Sequence, residues 1–165
     1  MNSNQDPQAV IFNKHNHDIC FKTTLEAAEN HCSENNLEFT PLRRKVFEIL
    51  LKDHKPLGAY KILDLLREAG FSSTPPIAYR VLDFLIKHGF AHKIKGLNAF
   101  VACSHLGSFH SPAFMICRKC ENIAEVDSKK TKVTPRQPNP LSFKVEETII
   151  EMIGLCNTCF GEKEV

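Results

Sequence analysis

The chain has 165 residues and 18.7 kDa, room for one globular domain or two small ones and too little for a large multidomain enzyme. Its 42% hydrophobic and 24% charged residues exclude a wholly disordered or fibrous protein, and a core can form. A net charge of +2, from 21 Lys+Arg against 19 Asp+Glu, confines any nucleic-acid surface to a local patch. The polar start MNSNQDPQ lacks a basic-then-apolar leader, and no stretch approaches about 18 uninterrupted apolar residues, so a cytoplasmic protein with no membrane segment is expected.

Residues 1–22 carry no helical or strand period and read as an N-terminal tail, although His15, His17 and Cys20 within it are spaced for a weak metal site. From Thr23 to Gly89 the signals are helical. Leu25, Ala28 and Cys32 repeat on one face; Thr40-Pro41 is a cap followed by proline, leading to Leu42, Val46, Ile49 and Leu50. A third helix from about Gly58 to Glu68 turns Ala59, Ile62, Leu63 and Leu66 inward and stops at Gly70. The fourth starts at Thr74-Pro75-Pro76, buries Ile77, Val81, Leu82 and Leu85, and ends at Gly89. Two short strand-like runs, 90–95 and 98–103, then join through Lys95-Gly96-Leu97-Asn98 as a hairpin. Helices followed at once by a hairpin form a winged helix, expected over residues 23–97. Residues 98–165 read as a small α/β unit. Strands lie near 113–117 and 122–126, followed by a polar stretch with three prolines from Ser128 to Pro140 and a mixed apolar run from Phe143 to Leu155. The fold class is therefore α+β.

On the fourth helix, Tyr79, Arg80, Asp83 and Lys87 fall opposite the apolar stripe. Arg80 sits where a recognition helix meets base edges and can pair bidentately with guanine, while Tyr79 can reach a phosphate. A solvated arginine and a half-buried tyrosine are the plain alternative. Tyr60 points outward from the third helix with little packing reason to do so, which adds it to the DNA candidates, and Asp64 with Arg67 forms an i,i+3 ion pair.

Seven cysteines in a chain expected to be cytoplasmic do not read as a secreted disulfide framework. Four of them form Cys117-x-x-Cys120 and Cys156-x-x-Cys159, and a tetrahedral Zn²⁺ held by four thiolates at about 2.3 Å is the natural reading. A redox dithiol and buried, unliganded thiols are its rivals.

The segments Phe39-Thr40-Pro41-Leu42-Arg43, Pro76-Ile77-Ala78-Tyr79-Arg80-Val81-Leu82-Asp83-Phe84-Leu85 and Gly89-Phe90-Ala91-His92-Lys93, with the two CxxC pairs, carry a family resemblance. Over about residues 24–160 the chain resembles the ferric-uptake-regulator family of bacterial metal-dependent repressors, and within it the zinc-uptake branch. The resemblance implies a winged helix, a C-terminal dimerisation domain with a structural four-cysteine zinc, and a second, regulatory zinc, making two per protomer. By matching positions that regulatory site falls on His92, Cys103, His110 and Glu125, with His105 the competitor for His110. One thiolate in the set favours zinc over manganese, and the absence of a histidine-rich run before Cys117 speaks against an iron, manganese or peroxide sensor, the alternatives within the family. The implied partners are double-stranded operator DNA and a second copy of the chain, with no small-molecule substrate. Two departures from the family pattern stand out: the loop from Cys103 to His110 is one residue short, and prolines occupy 128–140 where a helix is usual. An enzyme using Cys103 with His105 or His110, and a zinc-stapled module that binds protein, are the rivals from other classes. No Gly-rich phosphate loop or nucleophile elbow is present, so catalysis is not expected.

Overall fold

Thr40 caps its helix as the sequence predicts: in the computed structural model its hydroxyl oxygen accepts from the Arg43 amide at 3.3 Å, and Pro41 opens helix α2, Pro41–Leu51. The structure describes residues 17–52, 55–106, 112–128 and 148–161. Those up to Leu106 form one compact unit and those from Pro112 onward a second.

The first unit holds α1 (His17–Glu34), α2, α3 (Ala59–Glu68) and α4 (Pro75–Lys87), followed by the hairpin β1 (Ala91–Ile94) and β2 (Ala99–Ala102). Its core collects Leu25, Ala28 and Cys32 of α1, Val46, Phe47 and Leu50 of α2, Ile62 and Leu66 of α3, and Val81, Leu82 and Leu85 of α4 around Phe90. Three helices end by one device. The amides of Leu37, Phe71 and Phe90 reach back to the carbonyls of Cys32, Leu66 and Leu85 at 2.7–2.9 Å, each after a residue at positive φ: Asn36, Gly70 or Gly89. The apolar residue after each reversal packs into or against the core, so helix termination and core closure are one event.

Two details differ from the sequence reading. Helix α1 begins at His17, inside the stretch read as tail, because Phe21 packs against the core cluster and draws the preceding turn into the helix. Cys20 thus lies within α1, while His15 is outside the described residues. On α4 the inward residue of the first turn is Ala78, fully buried, whereas Ile77 is 39% exposed. The stripe 78, 81, 82, 85 follows the helical period, and Ile77 lies a quarter-turn off it.

Arg44 ties α1 to α2 by pairing with Glu29, and also with Glu48 at 3.1 Å. In the hairpin His92 faces Val101 and Lys93 faces Phe100; the turn at 95–98 holds Asn98 at φ 46°. Leu57 exchanges both backbone hydrogen bonds with Phe100 at 2.9 Å, so the segment before α3 is a third rung on the wing.

An aromatic and cationic cluster lies where α2 and α4 meet. The Arg43 guanidinium stacks 3.7 Å over Phe84, the His88 ring lies 4.6 Å from the same ring, and His31 meets Phe90 edge-on at 5.5 Å. Burial, then the charges of Lys87, His31 and Arg43, hold His88 below the usual imidazole range. The unfolded chain takes up this proton near pH 6.5 and the folded chain only at lower pH, so stability present above about 6.5 is lost as pH falls through the folded value. Thermal melts of the wild type should drop on acidification below about pH 6.5, and His88→Asn should flatten that slope. An unchanged slope would assign the acid sensitivity elsewhere.

The second unit is a three-stranded sheet ordered β4-β3-β5, made of β3 (Pro112–Cys117), β4 (Ile123–Asp127) and β5 (Ile150–Gly154), followed by the short helix α5 (Asn157–Gly161). Strand β3 is central, antiparallel to β4 and parallel to β5, with Met115 opposite Met152 and Cys117 opposite Gly154. The proline-bearing stretch beyond Ser128 lies outside the described residues.

Candidate metal centres and nucleic-acid face

The end of β3 turns sharply through Cys117 to Cys120, with Glu121 at φ 61° and its amide donating to the Cys117 carbonyl at 2.9 Å. The parallel register brings the end of β5 alongside. The Arg118 amide bonds the Gly154 carbonyl at 2.9 Å, and two residues later Cys156 begins the turn into α5. Four sulfurs, those of Cys117, Cys120, Cys156 and Cys159, thereby lie within 4.8 Å of one another. Tetrahedral zinc with Zn–S near 2.3 Å requires sulfurs about 3.8 Å apart, and Cys120 and Cys156 stand at 3.7 Å. The donor set fits Zn²⁺ in type, number and spacing.

Its electrostatics are set by backbone amides. Those of Cys120 and Cys156 point at the Cys117 sulfur, the latter at 3.4 Å, and pull its thiol down to about 6. Burial pushes Cys120 up and Cys159 up to about 12. The fold thus favours the thiolate at Cys117 and the protonated thiol at Cys120 and Cys159, and loading must expel the protons that these thiols hold. Adding Zn²⁺ to metal-free protein in weak buffer at pH 7 should release more than one proton per ion. A pH-indicator dye reads this directly, and release of no proton would contradict ligation by these thiols.

A second group of donors begins on the hairpin. His92 of β1 and Cys103, just beyond β2, bring a ring nitrogen and a sulfur within 4.8 Å. The Cys103 amide continues the hairpin ladder to the Phe90 carbonyl at 2.8 Å, which positions its side chain, and its buried sulfur accepts from the His105 amide at 3.3 Å. His105 therefore approaches Cys103 through its backbone, and its ring is not in the donor group found among the described residues. In the other unit, Glu125 occupies the middle of β4 opposite Phe114 and is only 3% exposed, unusual for a carboxylate. His110 lies outside the described residues.

The third group is on the helices. Tyr60 is 73% exposed at the start of α3, and Tyr79 and Arg80 are exposed in the N-terminal half of α4. Asp64 and Arg67 form the i,i+3 pair at 2.9 Å. Sequence reasoning missed the exposure of Ile77; the signal for it was the spacing of 78, 81, 82 and 85, which completes the core stripe without residue 77. It also missed Arg43 seated on Phe84.

A winged helix followed by a sheet clipped at a four-cysteine cluster defines a two-part DNA-binding architecture with a zinc-type structural site. No protein-family model matches the sequence. A zinc uptake regulation protein of Escherichia coli K12 is 35% identical over 138 residues, 82% of this chain and 80% of that protein. A solved structure of a zinc uptake regulator complexed with zinc and DNA superposes with a TM-score of 0.78 at 32% identity, covering 85% of this chain and 95% of the other. The holo form of XcZur gives 0.71 at 35% identity, covering 85% and 99%. The chain belongs to the ferric-uptake-regulator family, in its zinc-uptake-regulator branch.

Proposed function

We propose that this chain is a zinc-responsive transcriptional repressor that binds operator DNA as a metal-loaded dimer and controls zinc uptake. The observation that carries the reading is the pairing, in one chain, of a four-thiolate cluster of zinc spacing with exposed Tyr60, Tyr79 and Arg80 on α3 and α4. The likeness to a zinc uptake regulator complexed with zinc and DNA supports it. No helix among the described residues is long and apolar enough to cross a membrane, and the reading requires none.

Two zinc ions per protomer are proposed. The first belongs to Cys117, Cys120, Cys156 and Cys159 and holds the second unit together. The second, regulatory ion belongs to His92, Cys103, His110 and Glu125. The mutual approach of His92 and Cys103 and the burial of the Glu125 carboxylate support this set. Bound there, the ion would hold His92 and Cys103 of the hairpin in fixed positions and so preorganise the DNA-binding unit. Dimerisation is proposed through the second unit, where Ile153 on the edge strand β5 and Phe160 on α5 are 71% and 80% exposed. A repressor of two half-sites needs its recognition helices at fixed spacing, and a dimer of this kind meets that need.

On the DNA face, Arg80 reads a guanine, Tyr79 reaches a phosphate, and Tyr60 makes a further contact within the specific site. Arg80→Ala should weaken binding to the specific site by about 1–3 kcal/mol and leave random DNA almost unchanged. Equal loss on both would make Arg80 a phosphate contact. Tyr60→Phe should cost less, mainly on the specific site. The function as a whole is tested by gel shift with zinc titrated into metal-stripped protein. Binding should rise with zinc and be reversed by chelator, and by reciprocity specific DNA should tighten zinc binding by the same factor. DNA binding that ignores zinc would refute it.

A further inference from the structure

We infer that Ile77 is a specificity-determining residue of the DNA face, packing on the 5-methyl group of a thymine next to the base pair read by Arg80; this rests on the DNA-binding reading above. Helix α4 fills its core positions with Ala78, Val81, Leu82 and Leu85, and Ile77 takes no part in the core cluster. It stands 39% exposed, three residues before Arg80 and therefore one turn up on a neighbouring face. A β-branched apolar residue at such a place is a poor helix former with little core packing to reward it.

The chemistry of this helix end points the same way. A helix N-terminus ordinarily offers free amides to a phosphate. Here Pro75 and Pro76 have no N–H, and the amides of Ile77 and Ala78 both close on the Thr74 carbonyl at 3.0 Å. The first turn thus has little to offer an anion and presents exposed Pro76 and Ile77 instead. In the major groove the apolar group on a base edge is the thymine methyl. An apolar first turn ahead of an arginine is fitted to read a thymine beside a guanine.

The test uses zinc-loaded wild-type protein to select duplexes from a random-sequence pool, and then replaces each thymine of a selected duplex by deoxyuridine, deleting one methyl at a time. Wild type should bind about fourfold more weakly at one thymine position per half-site, the worth of one buried methyl. Ile77→Ala should lose a similar factor on the unmodified duplex and nothing further at that deoxyuridine, while Ile77→Val retains the methyl response. Because Ile77 lies off the core, the variants should melt with the wild type. If Ile77→Ala responds to every deoxyuridine as wild type does, the methyl contact is wrong while zinc-dependent DNA binding stands. If zinc-loaded protein enriches no sequence from the pool, the DNA-binding reading falls and this inference with it.

Discussion

Cys117→Ser should yield a protein that retains no tightly held zinc and whose second unit no longer unfolds cooperatively. Cys117 is the hub of the cluster: its sulfur takes two backbone amides, and its strand carries the register that brings Cys156 alongside. Structural zinc contributes about 10–16 kcal/mol in small zinc domains, as much as the whole stability of an ordinary domain. Cys117, Cys156 and Cys159 are buried together with Cys120 packed against them, so the loss of the ion opens a packed cluster at the shared end of β3 and β5. Zinc content by elemental analysis, the thermal melt, and mass in solution read the outcome, and the mass should fall to that of a single chain or rise through aggregation. A Cys117→Ser protein with wild-type zinc and melting would show that the cluster is not the clip.

The opposite pattern is expected of Cys103→Ala. This residue lies in the first unit, where its removal costs one buried sulfur, on the order of 1 kcal/mol, and leaves the four-thiolate cluster untouched. The variant should stay folded, keep about one tightly held zinc per protomer, and lose the zinc stimulation of DNA binding, a coupling typically worth 1–3 kcal/mol. Titrating zinc against DNA binding measures that coupling. If Cys103→Ala keeps the full response, the regulatory donors lie elsewhere, and the segment with His15, His17 and Cys20 becomes the next place to mutate. Opposite outcomes for the two variants would separate a zinc that builds the protein from one that governs it.

Much of this was legible in the sequence because the signals are local. Thr40-Pro41, Gly70 and Gly89 mark helix ends through the conformations that their own residue types permit, and the structure uses each as expected. The outward positions of Tyr60, Tyr79 and Arg80 follow from the helical period alone. At the start of α1 the reading failed because a non-local contact decided. The start of α1 depends on Phe21 finding a core built by three other helices, and polar neighbours hide it from any window of the sequence. The choice of Ala78 over Ile77 shows hydrophobicity yielding to period: a small residue on the stripe is buried before a large one beside it.

By itself the sequence determined that this protein has helical and strand-rich parts, which helix faces meet solvent, and that two CxxC turns each present a pair of sulfurs. Only the tertiary structure decided that those pairs share one centre. Cys120 and Cys156 are far apart along the chain, and what unites them is the parallel pairing of β5 with β3, which sets Gly154 opposite Cys117 and bonds its carbonyl to the Arg118 amide. Spacing along a chain is a property of neighbours, whereas strand register is chosen by the whole sheet, and four sulfurs meet at tetrahedral distance because both are satisfied at once.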